Sequence, residues 1–257
     1  MALLGVEGLS IRFGGLAALT EVSFDVAEGE IFALIGPNGA GKTTVFNVLS
    51  RLYSPAAGRI TFAGEDLLRW SPHEVCRRGI ARTFQNTEVF RALSVLDNVL
   101  VGQHTRLRTG VFGAALRLGR VREEERAARE RAMAWLERVG LADMAGVEAG
   151  SLPLGSQKRL ELARALASEP RLLLLDEPAS GLNPTETRAL MDLICRLREE
   201  LRLTAIVVEH DMELVMTISD RIAVLHYGRK IAEGKPREIV SDPVVIEAYL
   251  GSDEPHP

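Results

Sequence analysis

The glycine-rich segment at 36–44 constrains the fold of this chain more than any other feature. It reads Gly-Pro-Asn-Gly-Ala-Gly-Lys-Thr-Thr and satisfies the pattern G-x-x-x-x-G-K-[ST]. It follows the short apolar run IFALI at 31–35 and precedes TTVFNVLSRLY at 43–53, whose apolar residues recur at helical spacing. The pattern requires a strand before it and a helix after it, and both are predicted here. We therefore expect an α/β protein with a phosphate-binding loop.

The residue types in this segment suit a polyphosphate and a divalent cation. Glycines let backbone N–H groups point inward as an anion nest, and the N-terminus of the next helix adds a positive dipole. Lys42 would supply a positive charge to the β- and γ-phosphates, and the Thr43 hydroxyl suits Mg²⁺, which takes hard oxygen ligands. The predicted nucleotide-binding residues of the loop are Gly36, Pro37, Asn38, Gly39, Ala40, Gly41, Lys42, Thr43 and Thr44.

A pair of acidic residues follows a second apolar run, LLLL at 172–175. In α/β proteins a buried strand delivers such residues at its C-terminal end, where ligands bind. Asp176 is predicted to hold Mg²⁺ through water, and Glu177 to orient and deprotonate an attacking water. A positioned general base of this kind is typically worth about 10²–10⁴ in rate. The acid pair therefore favours a hydrolase over a protein that only binds a nucleotide.

The order of predicted elements indicates one large domain over 1–257 with an inserted lobe. Short strands fill the N-terminal quarter, and strands alternate with helices after about residue 170, which argues for a parallel sheet covered on both faces. The middle is rich in Ala, Arg, Leu and Glu and strongly helical by propensity. We predict a nucleotide-binding core from 1–88 and 157–240, a helical subdomain at 89–156 and a C-terminal tail at 241–257.

Composition excludes several other classes of protein. The net charge of −4 argues against a dedicated nucleic-acid binder, and 46% hydrophobic residues exclude bulk disorder. Two cysteines, Cys76 and Cys195, lie far apart and form no CxxC pair, so neither a zinc site nor a disulfide framework is expected. No apolar run approaches the length of a membrane span, and the first ten residues do not have the character of a secretory signal.

Taken together, these motifs resemble the ATP-binding subunits of ABC transporters over nearly the whole chain. The match includes Gln85 in ARTFQNTEVF, the signature segment LPLGSQKRLELARAL at 152–166, Ser-Gly-Leu-Asn at 180–183 and His210 in VVEHD. The resemblance implies a P-loop (RecA-like) core with an N-terminal antiparallel β subdomain and an inserted helical lobe. It also implies ATP and Mg²⁺ as the cofactors.

The resemblance assigns roles that the residues alone would not. Gln85 would contact Mg²⁺ and the attacking water, and His210 would lie near the γ-phosphate. Phe13 would stack on adenine, which is worth roughly 1–3 kcal/mol by analogy with base–aromatic stacking. Gly155 and Ser156, in the signature segment, would contact the nucleotide of a partner chain. The segment departs from the common LSGGQ pattern, because Pro153 replaces the serine whose hydroxyl usually meets the γ-phosphate.

Within the family, the sequence is similar to those of the branched-chain amino acid importer ATPases. FGGLAAL near the start, residues 176–187, Glu-His-Asp-Met at 209–212 and VIEAYLG near the end carry this likeness. It implies a head-to-tail dimer with a second ATPase subunit, either a copy or a paralogue. It further implies two membrane permease subunits, an indirect link to a solute-binding protein, no nucleic acid, and a peripheral place on the cytoplasmic face of the plasma membrane.

Three other functions stay open from the sequence. A lipid or lipopolysaccharide export ATPase has a similar layout and differs in its partner. A soluble ABC-type ATPase acting on ribosomes or DNA usually carries two ATPase domains or a long coiled coil, which this chain lacks. A regulatory nucleotide binder without turnover is disfavoured by the presence of Glu177 and His210.

Overall fold

The structure, a computed structural model, describes residues 2–83, 88–104 and 118–250. These residues form two sheets and nine helices of five residues or more. The strands are β1 (Ala2–Phe13), β2 (Leu16–Ala27), β3 (Ile31–Ile35), β4 (Ala57–Phe62), β5 (Glu65–Asp66), β6 (Ile80–Arg82), β7 (Leu172–Asp176), β8 (Thr204–Val208), β9 (Arg221–His226) and β10 (Arg229–Gly234). The helices are α1 (Lys42–Leu49), α2 (Pro72–Arg77), α3 (Val95–Gly102), α4 (Leu118–Arg138), α5 (Leu154–Leu166), α6 (Pro184–Leu201), α7 (Met212–Ile218), α8 (Pro236–Val240) and α9 (Pro243–Leu250).

The N-terminal strands form the predicted antiparallel sheet. Its order is β2-β1-β4-β5, and each neighbouring pair is antiparallel. Residues on β1 and β2 alternate between buried and exposed over much of their length, as expected for a sheet with one face on the core. This sheet covers one side of the larger sheet together with α1.

The larger sheet has six strands in the order β10-β9-β3-β8-β7-β6. Every neighbouring pair is parallel except β9 and β10, which form an antiparallel hairpin. The predicted parallel sheet is confirmed for five strands. Strand β10 follows β9 after only two residues, and so short a connection allows only an antiparallel return.

Burial explains why the central strands form where they do. All residues of β3, β7 and β8 are buried, as near-continuous apolar strands between two layers require. Alternate side chains face opposite layers: Phe32 and Leu34 pack with α1 and the antiparallel sheet, whereas Leu173 and Leu175 pack with helices of the other layer. The sheet is thus the middle of three layers.

The segment predicted as a helical lobe, 89–156, contains α3, α4 and the first residues of α5. Apolar residues of all three helices join a single buried cluster with residues of the central sheet, including Val99, Leu136, Leu160 and Leu173. The proposed boundary between residues 156 and 157 falls within α5. The division into core, lobe and tail stays a prediction.

Several elements have no counterpart in the sequence-based prediction. These are α2, the short strand β6, and the C-terminal helices α8 and α9. Helix α9 lies within the stretch that we predicted only as a tail, and its Val245 is buried against Ile35 and Val224 of the sheet. None of the described helices combines the length and apolar character that a bilayer span needs.

Candidate nucleotide-binding site

The glycine loop lies at the carboxyl edge of the larger sheet, between β3 and α1. Gly36, Gly39 and Gly41 all have positive φ angles, of 147°, 78° and 105°. A Cβ on Gly36 would lie 2.0 Å from the carbonyl oxygen of Leu225, and one on Gly41 would lie 2.7 Å from Cδ2 of Leu19. A Cβ on Gly39 would meet nothing within 4 Å. The loop therefore needs two glycines for close packing and has open space at the third.

Lys42 begins α1 and lies folded over the loop. Its Nζ donates to the carbonyl oxygen of Gly36 at 2.6 Å and to that of Pro37 at 3.1 Å, and the residue is 7% exposed. Burial lowers the pKa of Lys42, and the negative charges of Glu177 and Asp176 oppose that shift. A nucleotide phosphate in this position would replace two neutral carbonyl contacts with charged ones.

The first turn of α1 also carries the two threonines of the motif. Thr43 is exposed and Thr44 is half-buried. Asn38 and Gly39, at the tip of the loop, are exposed as well, whereas Gly36 and Ala40 are buried. The buried ends thus hold the loop while its tip and the Thr43 side chain face outward.

Asp176 ends β7, and an arginine that sequence reasoning missed holds it. The Asp176 residue is 3% exposed, and its Oδ2 lies 2.7 Å from a guanidinium nitrogen of Arg82 at the end of β6. Arg82 also donates to Oδ1 of Asn47 on α1, at 2.8 Å. The one signal in the sequence was the position of Arg82 three residues before Gln85.

Glu177 follows directly in a left-handed backbone conformation, with φ of 45°. Such a conformation costs a non-glycine residue of order 1–3 kcal/mol and persists where surrounding contacts enforce it. Here the Glu177 N–H donates to the carbonyl oxygen of Val208 at 2.9 Å, and the Ser180 N–H donates to the Glu177 carbonyl oxygen at 3.0 Å. The strand ends thus fix the backbone that carries the predicted general base.

Glu209 joins the ends of β7 and β8 and is a second residue that sequence reasoning left without a role. It is 1% exposed, and its Oε1 accepts from the Ala179 N–H at 2.9 Å. Its Oε2 lies 3.9 Å from Nδ1 of His210, whose side chain is 66% exposed. Burial raises the pKa of Glu209 above its ordinary value, and its hydrogen bond from Ala179 opposes the shift.

The predicted adenine-stacking residue lies at the end of β1. The Phe13 ring is 44% exposed, and it meets the ring of Tyr53 edge to face, with centroids 5.1 Å apart. An exposed aromatic face supported at its edge by a second ring suits stacking on a base. The role of Phe13 stays a prediction.

The signature residues lie in the first turn of α5. The Ser156 hydroxyl is buried and accepts from an Arg159 guanidinium nitrogen at 3.1 Å, and the Ser156 N–H donates to the Pro153 carbonyl oxygen at 2.9 Å. A Cβ on Gly155 would lie 3.1 Å from Oε1 of Glu186 on α6. These contacts place the signature against the lobe and α6. Gln85 lies outside the described residues.

A sizeable cleft lies away from the glycine loop. It encloses about 1200 Å³ and is lined by Gly29, Arg171 and Thr204, which precede or begin β3, β7 and β8. It therefore lies at the amino edge of the sheet, opposite the glycine loop. An α/β sheet binds ligands at its carboxyl edge, so the chemistry of the loop, and not cleft size, identifies the site.

The residues present fit a magnesium nucleotide. The described chain contains no cluster of three or more His, Cys, Asp or Glu side chains suited to a metal. Mg²⁺ usually binds through one or two protein oxygens together with substrate phosphates and water, so a complete protein cage is not required. Thr43 at the start of α1 and Asp176 at the end of β7 are the oxygen donors predicted for it.

A glycine loop between a buried parallel strand and a helix, with acidic residues ending a neighbouring strand, defines a P-loop nucleotide-binding protein. Comparison with known families narrows that class. Residues 19–180 match the family described as "ABC transporter", and residues 229–255 match "Branched-chain amino acid ATP-binding cassette transporter". This chain belongs to the ABC transporter family and is one of its ATP-binding cassette ATPases.

Individual members of the family are similar to this chain over nearly its full length. The high-affinity branched-chain amino acid transport ATP-binding protein LivG of Salmonella typhimurium is 49% identical over 249 residues, 97% of this chain and 98% of its own. The corresponding protein BraF of Pseudomonas aeruginosa is 47% identical with the same coverage.

Two solved structures share the fold. An ATP-binding cassette in its ADP conformation superposes with a TM-score of 0.85 at 31% identity and covers 98% of this chain and 99% of its own. A dimeric cassette in a post-hydrolysis state, bound to ADP and Pi, has a TM-score of 0.76 at 27% identity and covers 91% and 99%.

Proposed function

We propose that this chain is the ATP-hydrolysing subunit of an importer for branched-chain or related hydrophobic amino acids. The observation that carries the proposal is the near-full-length similarity to LivG and BraF, which are named for that transport function. The match of residues 229–255 to a branched-chain amino acid cassette family supports the same solute class. That segment contains α8 and α9, which pack on the central sheet close to the glycine loop.

The site residues divide the work of hydrolysis. The N–H groups of the loop and the Lys42 ammonium would bind the β- and γ-phosphates, and Thr43 and Asp176 would hold Mg²⁺, directly or through water. Bound Mg²⁺ neutralises charge on the phosphates, as in phosphoryl transfer generally. Glu177 would accept the proton of the attacking water, and His210 would contact the γ-phosphate from the end of β8. The role of Gln85 as a further contact rests on the family motif alone.

The position of the signature segment supports a two-chain site. Ser156 accepts a hydrogen bond from Arg159 of its own helix and Gly155 faces Glu186 of α6, and the family resemblance assigns both residues to the nucleotide of a partner chain. We propose that two such chains, copies or paralogues, pack head to tail, so that each nucleotide is held by the loop of one chain and the signature of the other. Binding energy then closes the dimer in proportion to nucleotide occupancy. Two permease subunits at the cytoplasmic face of the membrane would respond to that closure.

The proposal is tested on the assembled transporter. We would purify the tagged chain from solubilised membranes, identify its partners by mass spectrometry and measure leucine uptake into vesicles that contain the complex and ATP. Uptake of labelled leucine, competed by valine and isoleucine but not by lysine, is expected. Co-purified lipid-export subunits without uptake would support the exporter alternative instead.

A single substitution of the predicted general base separates ATP hydrolysis from ATP binding. Glu177→Gln is expected to reduce phosphate release by roughly 10²–10⁴-fold, because the amide cannot take the proton, while ATP binding is retained. Leucine uptake should fall with it. Unchanged phosphate release in Glu177→Gln would show that another group is the base.

A further inference from the structure

Arg82 ends the edge strand β6, beside the strand that carries the acid pair. The register pairs Arg82 with Leu174 of β7, and the Thr83 N–H donates to the Leu174 carbonyl oxygen at 2.9 Å. Parallel pairing therefore brings the side chain of Arg82 to the carboxyl edge of the sheet. It reaches Asp176, two residues beyond its partner in the ladder.

The guanidinium joins three parts of the site. One nitrogen donates to Oδ2 of Asp176 at 2.7 Å, and another donates to Oδ1 of Asn47 on α1 at 2.8 Å. The Arg82 carbon Cζ also lies 5.5 Å from the centroid of the Phe46 ring. The side chains of Arg82 and Asp176 are 9% and 5% exposed, so water screens this ion pair little.

This geometry fixes the orientation of the Asp176 carboxylate. A planar guanidinium holds one carboxylate oxygen and the Asn47 amide oxygen through two separate nitrogens in a fixed fork, whereas a lysine presents all its donors on a single nitrogen. Asn47 belongs to the same helix as Lys42 and Thr43. The two bonds therefore set the orientation of the Asp176 carboxylate relative to the helix that carries the predicted phosphate and metal ligands.

We propose that Arg82 is a positioning residue for Mg²⁺-dependent nucleotide binding: anchored by Asn47, it holds Asp176 by Oδ2 and leaves Oδ1 for the metal and its water. The inference rests on the proposed role of Asp176 as a metal ligand. Side chains that hydrogen-bond to metal ligands orient them, and their loss typically weakens metal affinity by about 10–100-fold.

Arg82 also has an opposing electrostatic effect on metal binding, which the test must separate from its positioning effect. A buried positive charge beside Asp176 repels a divalent cation, so simple removal of that charge would favour metal binding. Variants that conserve the charge isolate geometry from repulsion. Arg82→Lys keeps the charge and loses the fork, and Asn47→Ala keeps Arg82 and removes its anchor.

The experiment measures ATP affinity by calorimetry, in EDTA and across a range of free Mg²⁺ concentrations. In Arg82→Lys and in Asn47→Ala, the Mg²⁺ concentration for half-maximal enhancement should rise by about tenfold, since the metal ligand is less well oriented. Affinity in EDTA should stay within about twofold, because Lys42 and the loop N–H groups are unchanged. Arg78→Lys, at an exposed ion pair with Glu65 on the other side of Gly79, is the matched control and should change neither value.

Each outcome decides the proposal. A Mg²⁺ requirement that stays constant or falls in either charge-conserving variant overturns it. If Arg82→Lys does not fold, as judged by circular dichroism, Asn47→Ala decides alone. Asp176→Asn distinguishes failure of the proposed metal role of Asp176 from failure of the positioning role of Arg82. If this variant leaves the Mg²⁺ requirement unchanged, the metal role of Asp176 fails. If it raises the requirement while the other two variants do not, only the role of Arg82 fails.

Discussion

Each buried charged side chain at the carboxyl edge of the sheet has its own hydrogen-bond or ion-pair partners. Asp176 has the Arg82 guanidinium, Lys42 has two loop carbonyls, and Glu209 has the backbone N–H groups of Ala179 and His210. A buried charge with no partner would be strongly destabilising. We attribute this arrangement to the highly charged nucleotide that the loop and the acid pair are predicted to bind.

Glu209 should make folding stability depend on pH. Burial raises its pKa in the folded state, and the nearby Glu177 carboxylate raises it further, whereas His210 opposes the shift. The unfolded chain therefore loses this proton first, at the ordinary value near 4.5, and the folded state is penalised as pH rises through the raised value. The contribution to stability is complete below pH 4.5 and is lost above the folded pKa.

Glu209→Gln should remove this penalty while its amide oxygen still accepts from Ala179. Relative to the parent protein, the variant should gain free energy of unfolding between pH 5 and pH 8, measured by urea denaturation. A variant that instead loses stability relative to the parent as pH rises would refute this account of Glu209.

At the scale of elements, the glycine loop is held by strands that are distant in sequence. The hairpin turn between β9 and β10 donates from the Gly228 N–H to the Ala40 carbonyl oxygen at 3.0 Å. The Gly228 carbonyl oxygen accepts from the Thr20 N–H of β2 at 2.8 Å. The loop is thus enclosed by both sheets, which is why its buried glycines tolerate no Cβ.

Gly36→Ala and Gly39→Ala should therefore differ in stability. At Gly36 a Cβ adds overpacking against Leu225 to backbone strain, and we expect a loss of roughly 4 kcal/mol. At Gly39 only the left-handed backbone is penalised, which costs roughly 1–2 kcal/mol. Urea unfolding of the two variants tests this order, and equal losses would contradict it.

Helix α6 begins after a capping residue, Asn183. Its Oδ1 accepts from the N–H groups of Thr185 and Glu186. The Glu186 side chain accepts in return from the Asn183 N–H, which completes a capping box. Asparagine and aspartate cap helices about equally well, so an aspartate here would be structurally conservative.

Asn183→Ala should destabilise the protein by about 1 kcal/mol through loss of this cap. Asn183→Asp is the control and should leave the free energy of unfolding within a few tenths of that of the parent, because the carboxylate oxygen accepts the same two bonds. Thermal denaturation followed by circular dichroism would detect the difference. Equal losses in both variants would assign a different role to the amide.

At the scale of the whole molecule, two layers of helices and strands enclose the central sheet. The glycine loop, Asp176 and Glu209 share the carboxyl edge of that sheet, while the signature turn at Pro153–Ser156 packs against Glu186 of α6. In the proposed dimer, the signature of a second chain completes each site.

Nucleotide should therefore drive association when hydrolysis is blocked. The Glu177→Gln protein with ATP and Mg²⁺ should elute at twice the 28.1 kDa mass of the chain, and without nucleotide as a monomer. If the native partner is a paralogue, the dimer should form only on its addition. A monomer under every one of these conditions, as measured by light scattering, would contradict the two-chain site.

The sequence by itself determined the features that depend on local order along the chain. The glycine loop, the apolar strands β3, β7 and β8, and the acid pair were predictable because strand periodicity, turn chemistry and ligand preference are written in neighbouring residues. The antiparallel N-terminal sheet, implied by the family resemblance, was confirmed as well. The roles given to the site residues all stay predictions, those of Lys42, Thr43, Asp176 and Glu177 as much as those of Phe13, Gln85, Gly155, Ser156 and His210.

Only the tertiary structure decided which residues, distant in sequence, form an ion pair or a hydrogen bond with each other. Arg82 and Asp176 are 94 positions apart, and Ala179 and Glu209 are 30 apart. No local pattern marks such partners, because parallel pairing of β6, β7 and β8 brings their carboxyl ends together only after the chain has folded. The same packing fixed the hairpin direction of β10 and the position of α9, where contacts with the sheet outweigh weak local preferences.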